Sequence, residues 1–277
     1  MTTLLYTFLL LLLSTAHAIR LYYNDSATHS LTSPSYPSTN IFLSSDTTLE
    51  LSNGATITAP SNGDDGDSAI RVDDATLIGT NGTIIGGANF GGVGVTISSS
   101  RDSTAEASFG PGMTIYGGDA ARNETTQGGD AVQVLQAGSK AVFAGGVVVA
   151  GRGCSREVCG VSYNGNAIKV IMGEVIVKGG SFDGDFYNLQ GDIAVYGCVE
   201  LKDGRIVGVL SDGSEIDVAY VGEEQGLEIV YDDSMCRSSA VVSETTTDPT
   251  SGGGRVISST IMLLLSMAVN LAIPLLW

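Results

Sequence analysis

Short apolar strands closed by glycine recur through residues 68–210, and this repetition limits the fold more than any other feature of the chain. Three copies of a first strand stand out: Ser68-Ala69-Ile70-Arg71-Val72, Asp130-Ala131-Val132-Gln133-Val134 and Asn166-Ala167-Ile168-Lys169-Val170. A weaker fourth is Gly191-Asp192-Ile193-Ala194-Val195. Second strands follow at Thr76-Leu77-Ile78-Gly79, Ala141-Val142-Phe143-Ala144, Val175-Ile176-Val177-Lys178 and Val199-Glu200-Leu201-Lys202. Third strands follow at Thr83-Ile84-Ile85, Val147-Val148-Val149 and Arg205-Ile206-Val207-Gly208. Strand-sized units that repeat without helical periodicity predict a β-solenoid, in which each unit buries its apolar face against the next.

The spacing supports this. Ile70 to Val93 spans 23 residues and Ile168 to Ile193 spans 25. The intervals Val93 to Val132 and Val132 to Ile168 are longer, at 39 and 36, but each contains a polar insertion, 117–129 or 151–165. Without the insertions the period returns to the length of three short strands and three turns. The 37 glycines fit such a coil, whose corners need positive φ and close backbone approach. In this register Ile70, Val72, Val132, Val134, Ile168 and Val170 point inward. Arg71, Gln133 and Lys169 form an outward column. Ser68, Asp130 and Asn166 stack at one corner, where they bond to one another or to the turn backbone.

Over about residues 40–230 the chain resembles the right-handed parallel β-helix, pectin-lyase-like class. The expected fold class is therefore all-β, a single-stranded right-handed parallel β-helix or solenoid. An antiparallel sandwich is the alternative. It would show hairpin turns and alternating strands instead of rung-length units.

The ends carry their own signals. Residues 1–18 read as a signal peptide, with an apolar run at 9–13 and the small-residue site Ala16-His17-Ala18. Residues 19–40 read as an N-terminal cap with at most one strand, and 41–236 as the β-helix. Residues 237–256 form a Ser/Thr/Gly-rich stalk without aromatics, too polar to bury a core. Residues 257–277 are an apolar tail with no basic flank after it. The small residues Ser251-Gly252-Gly253 precede the tail, a pattern that points to a glycosylphosphatidylinositol anchor attached at Ser251. A single transmembrane helix is the alternative. Both readings send the chain through the secretory pathway to the outer face of the plasma membrane.

The net charge of −17 argues against nucleic acid as a partner and disfavours anionic surfaces. Four cysteines in an oxidising compartment suggest two disulfides. The short spacing favours Cys154 with Cys159, and elimination leaves Cys198 with Cys236. The longer loop contributes roughly 3–4 kcal/mol in the chain-entropy model. Sequons place N-glycans at Asn24, Asn81 and Asn123.

The resemblance brings polysaccharide lyases and glycoside hydrolases into consideration. Paired carboxylates exist at Asp64, Asp65 and Asp67, at Asp73 and Asp74, and at Asp183 and Asp185. The polygalacturonase-like Gly-His-Gly motif is missing, because His29 is the one histidine outside the signal segment. Trp-Ile-Asp-His and Arg-x-Pro-x-x-Arg, the lyase patterns, are also missing. Lys169, Lys178 and Lys202 on predicted strands near Asp183 and Asp192 keep lyase chemistry in view. Tyr163, Phe186 and Tyr187 offer rings for a sugar platform. No cofactor is expected. Calcium has a weak candidate in the acidic turn 62–67, which lacks the spacing and terminal Glu of an EF-hand. The expected role is structural, adhesive or glycan-binding, through an extracellular glycan or surface protein. The alternative is a polysaccharide lyase or glycoside hydrolase-like enzyme.

Overall fold

The structure is a computed structural model that describes residues 18–32, 35–61, 68–88, 91–120, 127–154 and 163–240, the last four by backbone alone. Residues Met1–Val241 form one compact unit, and the described residues all belong to it. The architecture is all-β and mostly parallel, with strands numbered along the chain.

Two ladders run through it. Ladder A stacks β1 (Ile19–Tyr23), β3 (Thr39–Leu43), β6 (Ile70–Asp73), β8 (Val95–Ser98), β10 (Val132–Val134), β12 (Asn166–Val170) and β14 (Asp185–Asn188). The end of β17 (Glu215–Val221) pairs below β14. Ladder B stacks β2 (Thr28–Leu31), β4 (Thr48–Leu51), β7 (Thr76–Ile85), β9 (Ala105–Tyr116), β11 (Ser139–Val149), β13 (Glu174–Asp183), β15 (Asp192–Lys202) and β18 (Leu227–Tyr231). Strand β5 (Ala55–Thr58) pairs with the second half of β7. The chain passes from one ladder to the other and back along most of its length. In β7 and β11 the expected second and third strands are two halves of one long strand. Register shifts fall between Gly79 and Asn81 and between Phe143 and Val147.

Parallel in-register stacking lines up like residues because side chains alternate between faces with period two. Ile41, Ile70, Val95, Val132, Ile168 and Phe186 form one inward column, all fully buried. Leu43, Val72, Ile97, Val134 and Val170 form its neighbour. Each such side chain contributes roughly 1.5–3 kcal/mol by leaving water. The core is also aromatic. Phe109 lies 5.1 Å from Phe143, and Phe182 lies 5.6 Å from Phe143 and 5.1 Å from Phe186.

Outward columns form in the same way. On ladder A, Tyr22, Phe42, Arg71 and Thr96 are followed by Gln133, Lys169 and Tyr187. On the second half of ladder B, Thr56, Thr83, Thr114 and Val147 stack in one column. Thr58, Ile85, Tyr116 and Val149 stack beside them.

Four expectations change. The register pairs Ile70 with Val95, two residues beyond Val93. The fourth copy, around Ile193 and Val195, belongs to ladder B under Val175 and Val177; Phe186 takes the place below Ile168. The segment around Arg205-Ile206-Val207-Gly208 is not a parallel rung. It is β16 (Arg205–Leu210), antiparallel to both β15 and β17, and those two pairings are the antiparallel ones among the described residues. Asp203 and Gly204 both have positive φ, 49° and 73°, which suits a tight two-residue hairpin turn. Finally, the segment 19–40 holds two strands of the first rung, β1 and β2. Their polar pattern follows from position: the end rung has a neighbour on one side, so less of it is buried.

Cys198 on β15 is disulfide-bonded to Cys236 on helix α1 (Asp233–Ala240). Cys154 is buried, while its expected partner Cys159 lies outside the described residues. Asn24 and Asn81 are exposed. Asn123, the acidic turn 62–67, Ser251, the signal segment up to residue 17 and the apolar tail also lie outside the described residues.

The turns from ladder A to ladder B include an acid-sensitive corner. Asp74, with φ 52°, accepts hydrogen bonds from the Ser100 N–H at 2.5 Å and from the Ser103 hydroxyl. The Ser103 bond, then the Ser100 bond, hold its carboxyl below the usual carboxylate range. A depressed folded value means the stabilisation is present above the unfolded value near 4 and is lost as pH falls through the folded value. Asp74→Asn is expected to lower stability at pH 7 and to differ little from the parent chain at low pH, where the carboxyl is already protonated, so that a denaturation series shows a flatter acid limb.

Candidate functional site

The insertions leave ladder B and return to ladder A through a neck of glycines. Hydrogen bonds run through the neck from residue to residue. Gly92 N–H donates to Gly87 O at 2.9 Å, Gly118 to Gly92 at 2.7 Å and Gly129 to Gly118 at 2.8 Å. Gly151 then donates to Gly129 at 2.8 Å, and Gly165 to Gly151 at 2.9 Å. Outgoing and returning segments therefore alternate in one bonded series. Side chains are excluded by the packing. A Cβ on Gly118 would sit 2.0 Å from Gly87 O, and one on Gly165 would sit 2.0 Å from Gly129 O.

Beside the neck, the described ends of the insertions bond to one another. Ala120 N–H donates to Arg152 O at 2.8 Å, and Arg152 N–H to Asp119 Oδ1 at 2.7 Å. Gly128 N–H donates to Tyr163 O at 2.9 Å. The glycines lie at one corner, immediately before the strands of ladder A. Paired glycines bounding 117–129 and 151–165 were the signal for this neck in the sequence, and reading them as generic coil corners missed it.

The residue after each neck enters a polar network. Asp130 follows Gly129 and has a side chain only 5% exposed. Its Oδ1 accepts from both the Asn166 N–H and Asn166 Nδ2, each at 2.7 Å. Its Oδ2 accepts from Gln133 Nε2 at 2.7 Å and lies 3.5 Å from Lys169 Nζ. Lys169 Nζ also lies 6.0 Å from the centre of the Tyr187 ring. One strand earlier, Ser68 Oγ and Thr96 Oγ1 are 2.5 Å apart. Of the expected corner, Asp130 and Asn166 bond to each other while Ser68 bonds to Thr96, and a near-buried carboxylate is matched by amide and ammonium donors.

The other sequence candidates are dispersed. Asp73 pairs with Arg71 at 2.7 Å, and Asp74 serves its turn. Asp183 and Asp185 are exposed at the close of β13 and the start of β14, while Lys169 pairs with Asp130 and not with them. Lys178 sits 5.3 Å from the Tyr196 ring. Phe186 is a core residue and leaves the expected aromatic platform; Tyr187 shares the outward column and Tyr163 is exposed on its loop. His29 is at the opposite end of the ladders, hydrogen-bonded to Asp25 at 2.8 Å. Among the described residues no group of three or more His, Cys, Asp or Glu side chains is placed to hold a metal ion. A depression of about 200 Å³ lies between Asn188, Gln190, Glu223 and Gln225, below the roughly 300–1,000 Å³ typical of small-molecule sites.

Comparison of the chain with family models, curated proteins and solved structures gave no match.

Truncating Asp130 strands several donors at once. Asp130→Ala is expected to lower stability by about 3 kcal/mol. Lys169→Ala, at a partly exposed end of the network, should cost under about 1 kcal/mol. Equilibrium unfolding of the two variants checks the ranking.

Proposed function

We propose that the chain is a secreted, membrane-tethered right-handed parallel β-helix that displays binding surfaces outside the cell. Its role is structural, adhesive or glycan-binding, without catalysis. The observation that carries this reading is the straight outward column of Gln133, Lys169 and Tyr187, on strands that follow the glycine neck. Such a column repeats at one strand spacing, about 4.8 Å, and suits an extended ligand lying along the stack. Ammonium, amide and aromatic groups in line offer a glycan hydrogen bonds and a ring to stack on. The polar stalk and the apolar tail support display at a membrane, with Ser251 as the lipid attachment site.

The test is incubation of residues 19–251 with uronic-acid and neutral glycans, with and without calcium. Binding without turnover is the expected result. Steady release of unsaturated or reducing ends, abolished by Lys169→Ala or Asp183→Ala, would establish a polysaccharide lyase or glycoside hydrolase instead. Treatment of intact cells with a phosphatidylinositol-specific phospholipase should release the chain. Retention would assign a single transmembrane helix.

A further inference from the structure

We propose that the outward face of the second half of ladder B docks a neutral, extended polysaccharide. The inference deepens the glycan-binding reading and rests on it for display outside the cell, but it concerns a different face from the Lys169 column. The two columns that begin at Thr56 and Thr58 carry no charge over four adjacent strands, in a chain of net charge −17. The other faces differ. Glu106, Lys140 and Glu174 stack on the first half of ladder B, and Arg71 and Lys169 lie on ladder A. The uncharged stretch ends one strand later, where Val149 is followed by Asp183.

The chemistry of this face selects its partner. A polyanion finds no cation here and meets the repulsion of the whole chain. A polycation is drawn to the acidic faces instead. What remains is a neutral ligand with hydroxyl and C–H surfaces. Thr83 and Thr114 present hydroxyls one strand spacing apart, with the restricted χ1 of β-branched residues. Neither hydroxyl makes a hydrogen bond among the described residues. Tyr116 and Val147, 37% and 39% exposed, add an aromatic ring and an aliphatic surface of the kind that sugar rings stack on. A sugar chain running along the stack meets a hydroxyl, an aliphatic surface or a ring at each of the four strands.

The face is too small for a second copy of the protein. Four strands by two side chains cover roughly 14 Å by 7 Å, well below the roughly 800 Å² per partner of a standard protein interface. A narrow strip fits one linear polymer, and many tethered copies on that polymer gain avidity.

The experiment uses the detergent-extracted full chain, sedimented with insoluble cellulose, chitin and β-glucan and, separately, with an insoluble uronate gel. Retention on at least one neutral polymer, and not on the uronate, is expected. Thr114→Lys and Val147→Lys should each reduce it at least tenfold, since each replaces a short side chain of the strip by a long, strongly hydrated one that holds the polymer away from the sheet. Thr83 is left intact because it completes the Asn81 sequon. Lys140→Ala, on the charged first half of the same ladder, should bind like the parent chain. Unchanged binding by both lysine variants would overturn the inference. Loss in Lys169→Ala alone would also overturn it, while leaving the broader glycan-binding reading in place through ladder A. Retention on no polymer would overturn both. A dimer in light scattering that Val147→Lys dissociates would overturn it in favour of self-association.

Discussion

Ile168→Asp is expected to abolish folding of the chain. Ile168 is fully buried and stacked between Val132 above and Phe186 below. A carboxylate there meets only hydrocarbon from its own column and has no cation within the core to pair with. It must either stay charged without solvent or take up a proton at the expense of folding free energy. The expected loss is about 4–5 kcal/mol, a large part of the 5–15 kcal/mol that holds a typical domain together. Arg71→Ala is the matched control. Arg71 is exposed on the outward column and its ion pair with Asp73 is a surface pair, so its loss should stay within about 0.5–1 kcal/mol. The yield of folded protein and the denaturation midpoint of the two variants measure the contrast directly. Equal behaviour would show that the inward and outward columns had been exchanged.

Gly129→Ala should also have a large effect, although it adds a single methyl group. The new Cβ would lie 2.1 Å from Gly92 O and 2.4 Å from Gly91 O. Both neighbours are backbone atoms held in the neck by the hydrogen bonds that run from Gly87 to Gly165. Relief requires the neck to open, which breaks those bonds and the neighbouring ones from Ala120 to Arg152 and from Gly128 to Tyr163. A cost of about 3 kcal/mol is expected. Gly213→Ala separates steric exclusion from backbone preference. Gly213 has φ 87° and open space around its Cα, so alanine there meets only the left-handed penalty of about 1–2 kcal/mol. Thermal unfolding should rank Gly129→Ala well below Gly213→Ala.

Inward positions were legible wherever three copies shared one ladder. Ile70, Val132 and Ile168 recur with the same neighbours because each occupies the same place in its rung, and a one-residue slip would expose all of them. Legibility failed where the turn lengths changed. No long insertion separates β13 from β14; the chain turns through Gly184, with φ 132°. The rung is shorter there, so counting a constant period placed Ile193 under Ile168 when Phe186 belongs there. The antiparallel excursion had a readable signal in Asp203-Gly204, a hairpin pair between two apolar runs, but its strands resemble rung strands in composition. The Asp130 network was visible as a polar corner, whereas its closure by Gln133 and Lys169 depends on contacts between rungs that spacing alone does not give. The uncharged face of ladder B was hidden for a similar reason. Thr56, Thr83, Thr114 and Val147 are far apart in the chain and become one column only through register.

Distances along the outward column of ladder A test the parallel stack most directly. Spin labels would be placed on cysteines substituted at Lys169 and, in three separate proteins, at Arg71, Phe42 or Tyr22. These positions lie three, four and five strand spacings from Lys169. Pulsed electron resonance should give backbone separations near 14, 19 and 24 Å, rising by about one strand spacing, 4.8 Å, at each step. Separations that fail to rise in this order, as pairing through hairpins in an antiparallel sandwich would produce, would contradict the stacked parallel fold and the display surfaces built on it.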